Sequence, residues 1–158
     1  MMARTHVVAG AACWVAFAVV TKAPIDVLHI VVAMGSSLLP DIDHPGSVFG
    51  RRVRPISTLL GAIFGHRGIT HSLLAVFALA ITTVYFGGFL DHLVSAITIG
   101  YLSHLLADWM TPYGVPLLYP SMRRYSSPLT TKTGGVGELL IQVSMIGGLV
   151  LFFSRMFS

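Results

Sequence analysis

A chain of 158 residues, 54% of them hydrophobic and 10% charged, is too apolar for an ordinary water-soluble domain, in which about 25% of residues are charged. It is equally unlike a disordered segment, which is polar and highly charged. The single cysteine, Cys13, excludes an internal disulfide and a cysteine-rich zinc module. The length suits one domain, residues 1–158, and the class that remains is an all-α, membrane-embedded helical bundle. A formal charge of +4 would point to nucleic acid in a soluble protein. Here the basic residues lie between apolar stretches, so topology accounts for them and no direct nucleic-acid contact is expected.

Taken in chain order, residues 7–21 are uncharged between His6 and Lys22, and residues 27–40 between Asp26 and Asp41. Residues 56–65 are apolar but too short to span, which predicts an interfacial or re-entrant piece. Residues 72–90 and 92–107 flank Asp91, and residues 139–154 run from Glu138 to Arg155. About five transmembrane helices are therefore expected. Several fall short of the ~20 apolar residues a span needs, so flanking polar groups would dip inward and the bilayer would thin locally. Residues 1–20 also resemble a signal peptide, with Arg4, an apolar run and Ala16-Phe17-Ala18. The apolar run continues past that point, so retention is the favoured expectation.

Orientation follows from the basic residues. With the N-terminus in the cytoplasm, the inner segments carry Arg4, Arg51, Arg52, Arg54, Arg67, Arg123, Arg124 and Lys132, and the outer ones only Lys22 and Arg155. The C-terminus is then outside. This orientation gathers the polar motifs on one face: Leu39-Pro40-Asp41-Ile42-Asp43-His44-Pro45, His66-Arg67-Gly68-Ile69-Thr70-His71-Ser72, and His104 to Pro112, with His6 and Glu138 at two further helix starts. Ionisable groups in membrane segments are costly and mark functional sites. The long inner loops 41–71 and 111–136 fit the same expectation.

His104 and Asp108 are four apart on an expected helix and share a face. Asp41 and Asp43, two apart between prolines, can aim oxygen ligands from a turn. One of His66 and His71 can ligate while the other moves a proton, and His6 and Glu138 can close the site from two more helices. A mixed His and carboxylate set without sulfur suits Zn²⁺, Mn²⁺ or Fe²⁺ better than Ca²⁺. The number of ligands allows two ions, and Arg67 suits a phosphate. Each piece also has a plainer explanation. A lone His-x-x-x-Asp is commonly a helix surface pair, Asp43 can cap a helix, and the helix dipole favours Glu138 without any metal. His29, His92, Asp26 and Asp91 fall toward the outer side and are expected to be structural. No Gly-x-Ser-x-Gly elbow is present, and Gly134-Gly135-Val136-Gly137 lacks the Lys-Ser/Thr of a phosphate loop.

The ordered motifs LPDIDHP, HRGITHS and HLLADWMTPYGVPLLYP resemble the YdjM-like family, described as LexA-binding, inner-membrane-associated, metal-dependent hydrolases. The likeness runs from Thr5-His6 to Gly137-Glu138. It implies a prokaryotic integral membrane protein and places His6, Asp41, Asp43, His71, His104 and Asp108 at the family's motif positions. A weaker similarity, through His104-x-x-x-Asp108, extends to zinc-dependent phospholipase C, whose further downstream His ligands this chain lacks.

Two functions are therefore expected to compete. The first is a metal-dependent hydrolase of a lipid or lipid-linked phosphoester at the cytoplasmic leaflet. Its expected metal ligands are His6, Asp41, Asp43, His71, His104 and Asp108. His66 and Glu138 are candidate bases, and Arg67 is a candidate phosphate contact. Zinc is the expected metal, with one or two ions. The second is a non-catalytic membrane protein with a structural metal site, whose basic loops 51–54 and 123–124 dock a cytoplasmic protein partner. A metal or proton transporter fits less well, because only His29 offers an ionisable group near mid-membrane.

Overall fold

The computed structural model describes residues 1–65, 67–85 and 90–158. Among the described residues six helices form: α1 Ala3–Thr21, α2 Val27–Ser36, α3 Arg54–Phe64, α4 Leu73–Tyr85, α5 Asp91–Trp109 and α6 Val136–Met156. Single 3₁₀ turns occupy Pro40–Asp43 and Ile69–His71. Among the described residues there is no strand, only an isolated antiparallel bridge between Val115 and Tyr125. The chain is thus all-α. The five long apolar segments become α1, α2, α4, α5 and α6, and the short one becomes α3.

Helix lengths separate these elements. At about 1.5 Å per residue, α1 and α6 reach roughly 28 and 32 Å, matching the ~30 Å hydrocarbon layer. They are the two described helices long and apolar enough to cross a membrane. The second segment stops well before residue 40. Ser36 and Ser37 turn their hydroxyls back onto the carbonyls of Ala33 and Met34, a local bond that competes with continued helix. Pro40 then opens the 3₁₀ turn. The resulting α2 is only about 15 Å long.

The core lies where α1, α2 and α5 cross. Trp14, Ala18, Ala23, Ala33 and Ala96 are buried there, with Phe17, Ile25, Ile30, Val32 and Ile99 packed around them. Helix α4 packs against α5, and α6 against α1. Ala33 of α2 is held between two glycines. A Cβ on Gly10 of α1 would come within 2.6 Å of the Ala33 carbonyl oxygen, and one on Gly100 of α5 would overlap both that oxygen and Ser36 Oγ. Small residues that let backbones touch are a recurrent way of packing helices in lipid. Here they draw the C-terminal end of α2 against the first half of α1 and the middle of α5, next to the segments that carry the polar motifs.

Gly100→Val is accordingly expected to force α5 away from α2. Overpacking of this kind costs about 1–3 kcal/mol, and the obstruction here is backbone, which cannot rotate aside. Thermal unfolding in detergent should show a clearly lower midpoint; an unchanged midpoint would mean the helices do not cross at this residue.

Candidate metal centre

Four chain segments deliver the polar side chains. His6 comes from the second turn of α1, Asp41 and Asp43 from the 3₁₀ turn after α2, His71 from the second 3₁₀ turn, and His104 and Asp108 from the end of α5. Asp43 ties two of these segments together. Its Oδ2 accepts from the Arg67 backbone N–H and from Thr70 Oγ1, both at 2.8 Å. Arg67 adopts a left-handed backbone, φ 61°, a conformation an L-residue enters only at a cost. The Asp43 bond helps to hold it there. Tyr101, one turn before His104 on α5, donates its hydroxyl to the Thr70 carbonyl from the other side.

The hydrogen bonds settle which imidazole nitrogens face inward. His104 Nδ1 lies 2.7 Å from the Ser37 carbonyl oxygen, which can only accept, so this nitrogen carries the hydrogen. His71 Nδ1 lies 3.1 Å from Thr70 Oγ1. That hydroxyl already donates to Asp43, so it accepts from His71 Nδ1. In the neutral rings both Nε2 atoms therefore present lone pairs, and these lone pairs meet at 3.3 Å. Asp41 Oδ1 lies 3.4 Å from His71 Nε2 and 3.7 Å from His104 Nε2. Asp108 Oδ2 lies 3.9 and 3.7 Å from the same two nitrogens. Asp41 Oδ1 and Asp108 Oδ2 thus face the same two imidazole lone pairs, and a cation between them, a proton or a metal ion, would relieve the repulsion that Arg67 on Asp108 leaves.

The spacing fits the second option. Tetrahedral ligands at ~2.0–2.2 Å from a zinc-type ion are separated by about 3.3–3.6 Å, close to what these atoms already show. An imidazole whose far nitrogen is bonded to a backbone carbonyl or a hydroxyl is the usual outer arrangement of a metal-binding histidine. Asp41 is shaped by the same neighbours. Burial would raise its carboxyl, but a hydrogen bond from His71 and the charges of His104, His71 and His6, present only when those rings are protonated, outweigh that and hold it below the usual carboxylate range.

His6 completes the cluster. Its ring stacks on His104 with centroids 3.8 Å apart, and its Nε2 lies 3.4 Å from Asp108 Oδ1. Two overlapping groups result: His6, His104 and Asp108, and Asp41, His71 and His104. His104 belongs to both, yet its Nδ1 is engaged by Ser37, so it has one lone pair for one ion. Asp108 is surrounded by cations. Arg67 reaches its Oδ2 at 2.8 Å and the Met1 amino group contacts its Oδ1. Even so, Asp108 Oδ2, His6 Nδ1 and Arg67 Nε are buried without a well-formed hydrogen bond. Such orphans are rare in folded proteins and call for a water or an ion as partner.

The remaining expected site residues separate from these groups. Asp43 belongs to neither, and its Oδ2 is occupied in tying the loops. Glu138 is buried, but its carboxylate is spread over scaffold donors. Oε1 accepts from the Met2 N–H at 2.7 Å and Thr5 Oγ1 at 2.5 Å, and Oε2 from the Gly134 N–H at 2.6 Å. His66 lies outside the described residues. At the other end of the bundle, His29 bonds the Asp26 carboxylate at 2.8 Å, stacks on Trp14 and approaches the His92 ring edge-on. It is a separate aromatic and polar cluster. Ser37, Thr70 and Tyr101 were not foreseen. Tyr101 stands three residues before His104, on the same helix face, which was the available signal.

The family model described as YdjM inner membrane protein matches residues 1–156. The chain belongs to the YdjM family. It is 43% identical over 145 residues to the inner membrane protein YdjM of Escherichia coli K12, covering 85% of this chain and 74% of that one. The Shigella flexneri protein of the same name gives the same figures. The uncharacterized protein YvsG of Bacillus subtilis 168 is 35% identical over 162 residues, covering 99% of this chain and 97% of that one. No solved structure matches. The YdjM family is a family of bacterial inner membrane proteins, which agrees with the composition and with α1 and α6.

Proposed function

We propose that this YdjM-family chain is a membrane-embedded, metal-dependent hydrolase that cleaves a phosphoester of a lipid or lipid-linked substrate at the cytoplasmic leaflet. One observation carries the reading. Two imidazoles and two carboxylates, from two 3₁₀ turns and the end of α5, face one another, and the inward lone pairs of both rings are fixed by bonds on their far sides. His6, His71, His104 and Asp108 are 0–1% exposed, whereas Asp41 is 28% exposed. The cluster is thus closed on the protein side and open at Asp41, with Arg67 on the neighbouring Asp108. An open side distinguishes catalytic from purely structural sites.

In this reading His71, His104, Asp41 and Asp108 hold one ion, zinc fitting the donor types best, with His6 as a further donor. When bound, such an ion acidifies a water and polarises a phosphoryl oxygen. Ser37 and Thr70 keep the two imidazoles in the ligating tautomer. Arg67 binds a phosphoryl oxygen at the open side and, with the ion in place, no longer has Asp108 to itself. His66 is the candidate base.

Five helices, α1, α2, α4, α5 and α6, cross the membrane, with the N-terminus and the site on the cytoplasmic side. The short α2 and α4 are met by local thinning of the bilayer. Helix α3 lies in the interface. Its buried Ser57 faces the protein while Ile56, Leu59 and Ile63 are exposed along one stripe, so its apolar face points outward, as on a helix resting in lipid. A substrate whose tail stays in the bilayer can then present its head to Asp41.

The test uses detergent-purified protein, zinc-loaded or chelator-stripped, in mixed micelles with phosphatidic acid, phosphatidylglycerol phosphate or a polyprenyl diphosphate, with products followed by ³¹P NMR. Turnover that requires the ion is expected. Bound metal with no turnover on any of the three would favour a structural metal site and a docking role for the basic loops.

A further inference from the structure

Arg67, which reaches Asp108 in the candidate metal centre, shares one tyrosine with a second arginine that the loop after α5 folds back. The chain turns at Thr111–Gly114, where the Gly114 N–H returns to the Thr111 carbonyl at 3.1 Å. Gly114 has φ +65°, and a Cβ there would come within 2.6 Å of the Tyr125 carbonyl oxygen, so the turn requires glycine. Val115 and Tyr125 then exchange backbone hydrogen bonds at 3.0 and 2.9 Å. This pairing carries Arg124 back over Tyr113. The Arg124 guanidinium carbon lies 3.9 Å from the Tyr113 ring centre and that of Arg67 lies 5.2 Å from it. The two guanidinium carbons are therefore at most about 9 Å apart, within reach of opposite sides of one phosphate or of two linked ones.

Charge and exposure say what this pair would bind. Arg67 already touches Asp108, but Arg124 is exposed and has no carboxylate partner among the described residues. With Arg67 offset by Asp108, the uncompensated Arg124 leaves a positive field around Tyr113. A metal that takes up Asp108 would leave Arg67 uncompensated and strengthen that field. Tyr113 is exposed, as are Leu118 and Met122 in the same loop, an aromatic and apolar fringe of the kind that suits the zone where lipid heads meet water.

We infer that Arg67, Tyr113 and Arg124 form an anion clamp that selects a doubly charged phosphate, a phosphomonoester or a terminal diphosphate, over a singly charged phosphodiester. This rests on the hydrolase reading for its purpose but not for its existence. Arg124 is the specificity-determining residue, and Tyr113 is the positioning residue that holds it near Arg67. A dianion satisfies two guanidinium forks at once, whereas a diester leaves one fork facing an esterified oxygen.

The experiment measures binding rather than turnover. Wild type, Arg124→Gln and Tyr113→Leu, reconstituted in phosphatidylcholine nanodiscs, are titrated with inorganic pyrophosphate by calorimetry. A second arm counts phosphatidic acid retained by each protein against phosphatidylcholine in native mass spectrometry. Metal content is read on every sample. Wild type should bind the dianion, and both variants should bind it at least about tenfold more weakly with their metal content unchanged. Pyrophosphate bound without selective retention of phosphatidic acid identifies a soluble ligand, and the reverse identifies a lipid head; either supports the clamp. Equal affinity in all three proteins, or metal-loaded wild type that binds neither probe, overturns it and leaves the metal centre standing. A clamp that discriminates in a protein that never takes up metal overturns the hydrolase and leaves the clamp.

Discussion

His104→Ala and Asp108→Ala should each reduce bound metal from one equivalent to nearly none. Elemental mass spectrometry on detergent-purified protein reads this directly. The two residues are singled out because they join both halves of the cluster. His104 Nε2 stands 3.3 Å from His71 Nε2 and 3.7 Å from both Asp41 and Asp108. Asp108 faces His6 with one oxygen and the His71–His104 pair with the other. Turnover of the substrate found in the micelle screen should fall by about a thousandfold or more, equivalent to roughly 4 kcal/mol of barrier. Membrane insertion should be unchanged, because the helices that carry these residues keep their apolar faces.

The expected stoichiometry is part of the same prediction. A second ion would need its own donors, and His104 has none to give once Ser37 has taken Nδ1. Within the two groups found among the described residues, His6 and the outer oxygen of Asp108 would remain, too few for a tight site of the kind that holds zinc. Two tightly held equivalents in wild type would therefore contradict the tautomer assigned to His104. Retained metal and full activity in both variants would remove the site altogether.

Much of this site was legible in the sequence. The i, i+4 spacing of His104 and Asp108 put them on one face, and the positive-inside orientation gathered His6, Asp41 and His71 at the same ends of their helices. What periodicity and charge could not give was the division of labour among carboxylates. Asp41 and Asp43 read alike, two residues apart between prolines. The 3₁₀ turn sends Asp41 toward the imidazoles and Asp43 toward the Arg67–Thr70 loop. The length of α2 was equally hidden. Residues 27–40 are uncharged throughout, yet two serine hydroxyls bonding backward and one proline end the helix at Ser36. Hydropathy registers apolar length, not the backbone bonds that break it. The close crossing at Gly10, Ala33 and Gly100 depends on three residues far apart in the chain, and no local pattern marks them as partners.

Glu138 separates scaffold from chemistry, and Glu138→Ala is the second large effect expected. Helix α6 is exposed along nearly all its length, and Glu138 is its one fully buried residue. The carboxylate gathers the Met2 N–H, the Thr5 hydroxyl and the Gly134 N–H, so it joins α6 and its preceding loop to the start of α1. A hydrogen bond to a charged group contributes about 1.5–3 kcal/mol, and a buried donor left without a partner costs a comparable amount. Losing three together should cost at least about 3 kcal/mol, since such contributions are not fully additive. The unfolding midpoint should drop by roughly 10 °C, while the folded fraction keeps its full metal content. Glu138→Gln should fall between, because an amide oxygen can still accept from Met2 and Thr5 while its NH₂ meets the Gly134 N–H. If the glutamine variant instead melts like wild type, holds its metal and is inactive, Glu138 acts as a base and its three hydrogen bonds serve to orient it. A carboxylate whose loss is felt in stability and not in metal content or turnover is the outcome its contacts predict.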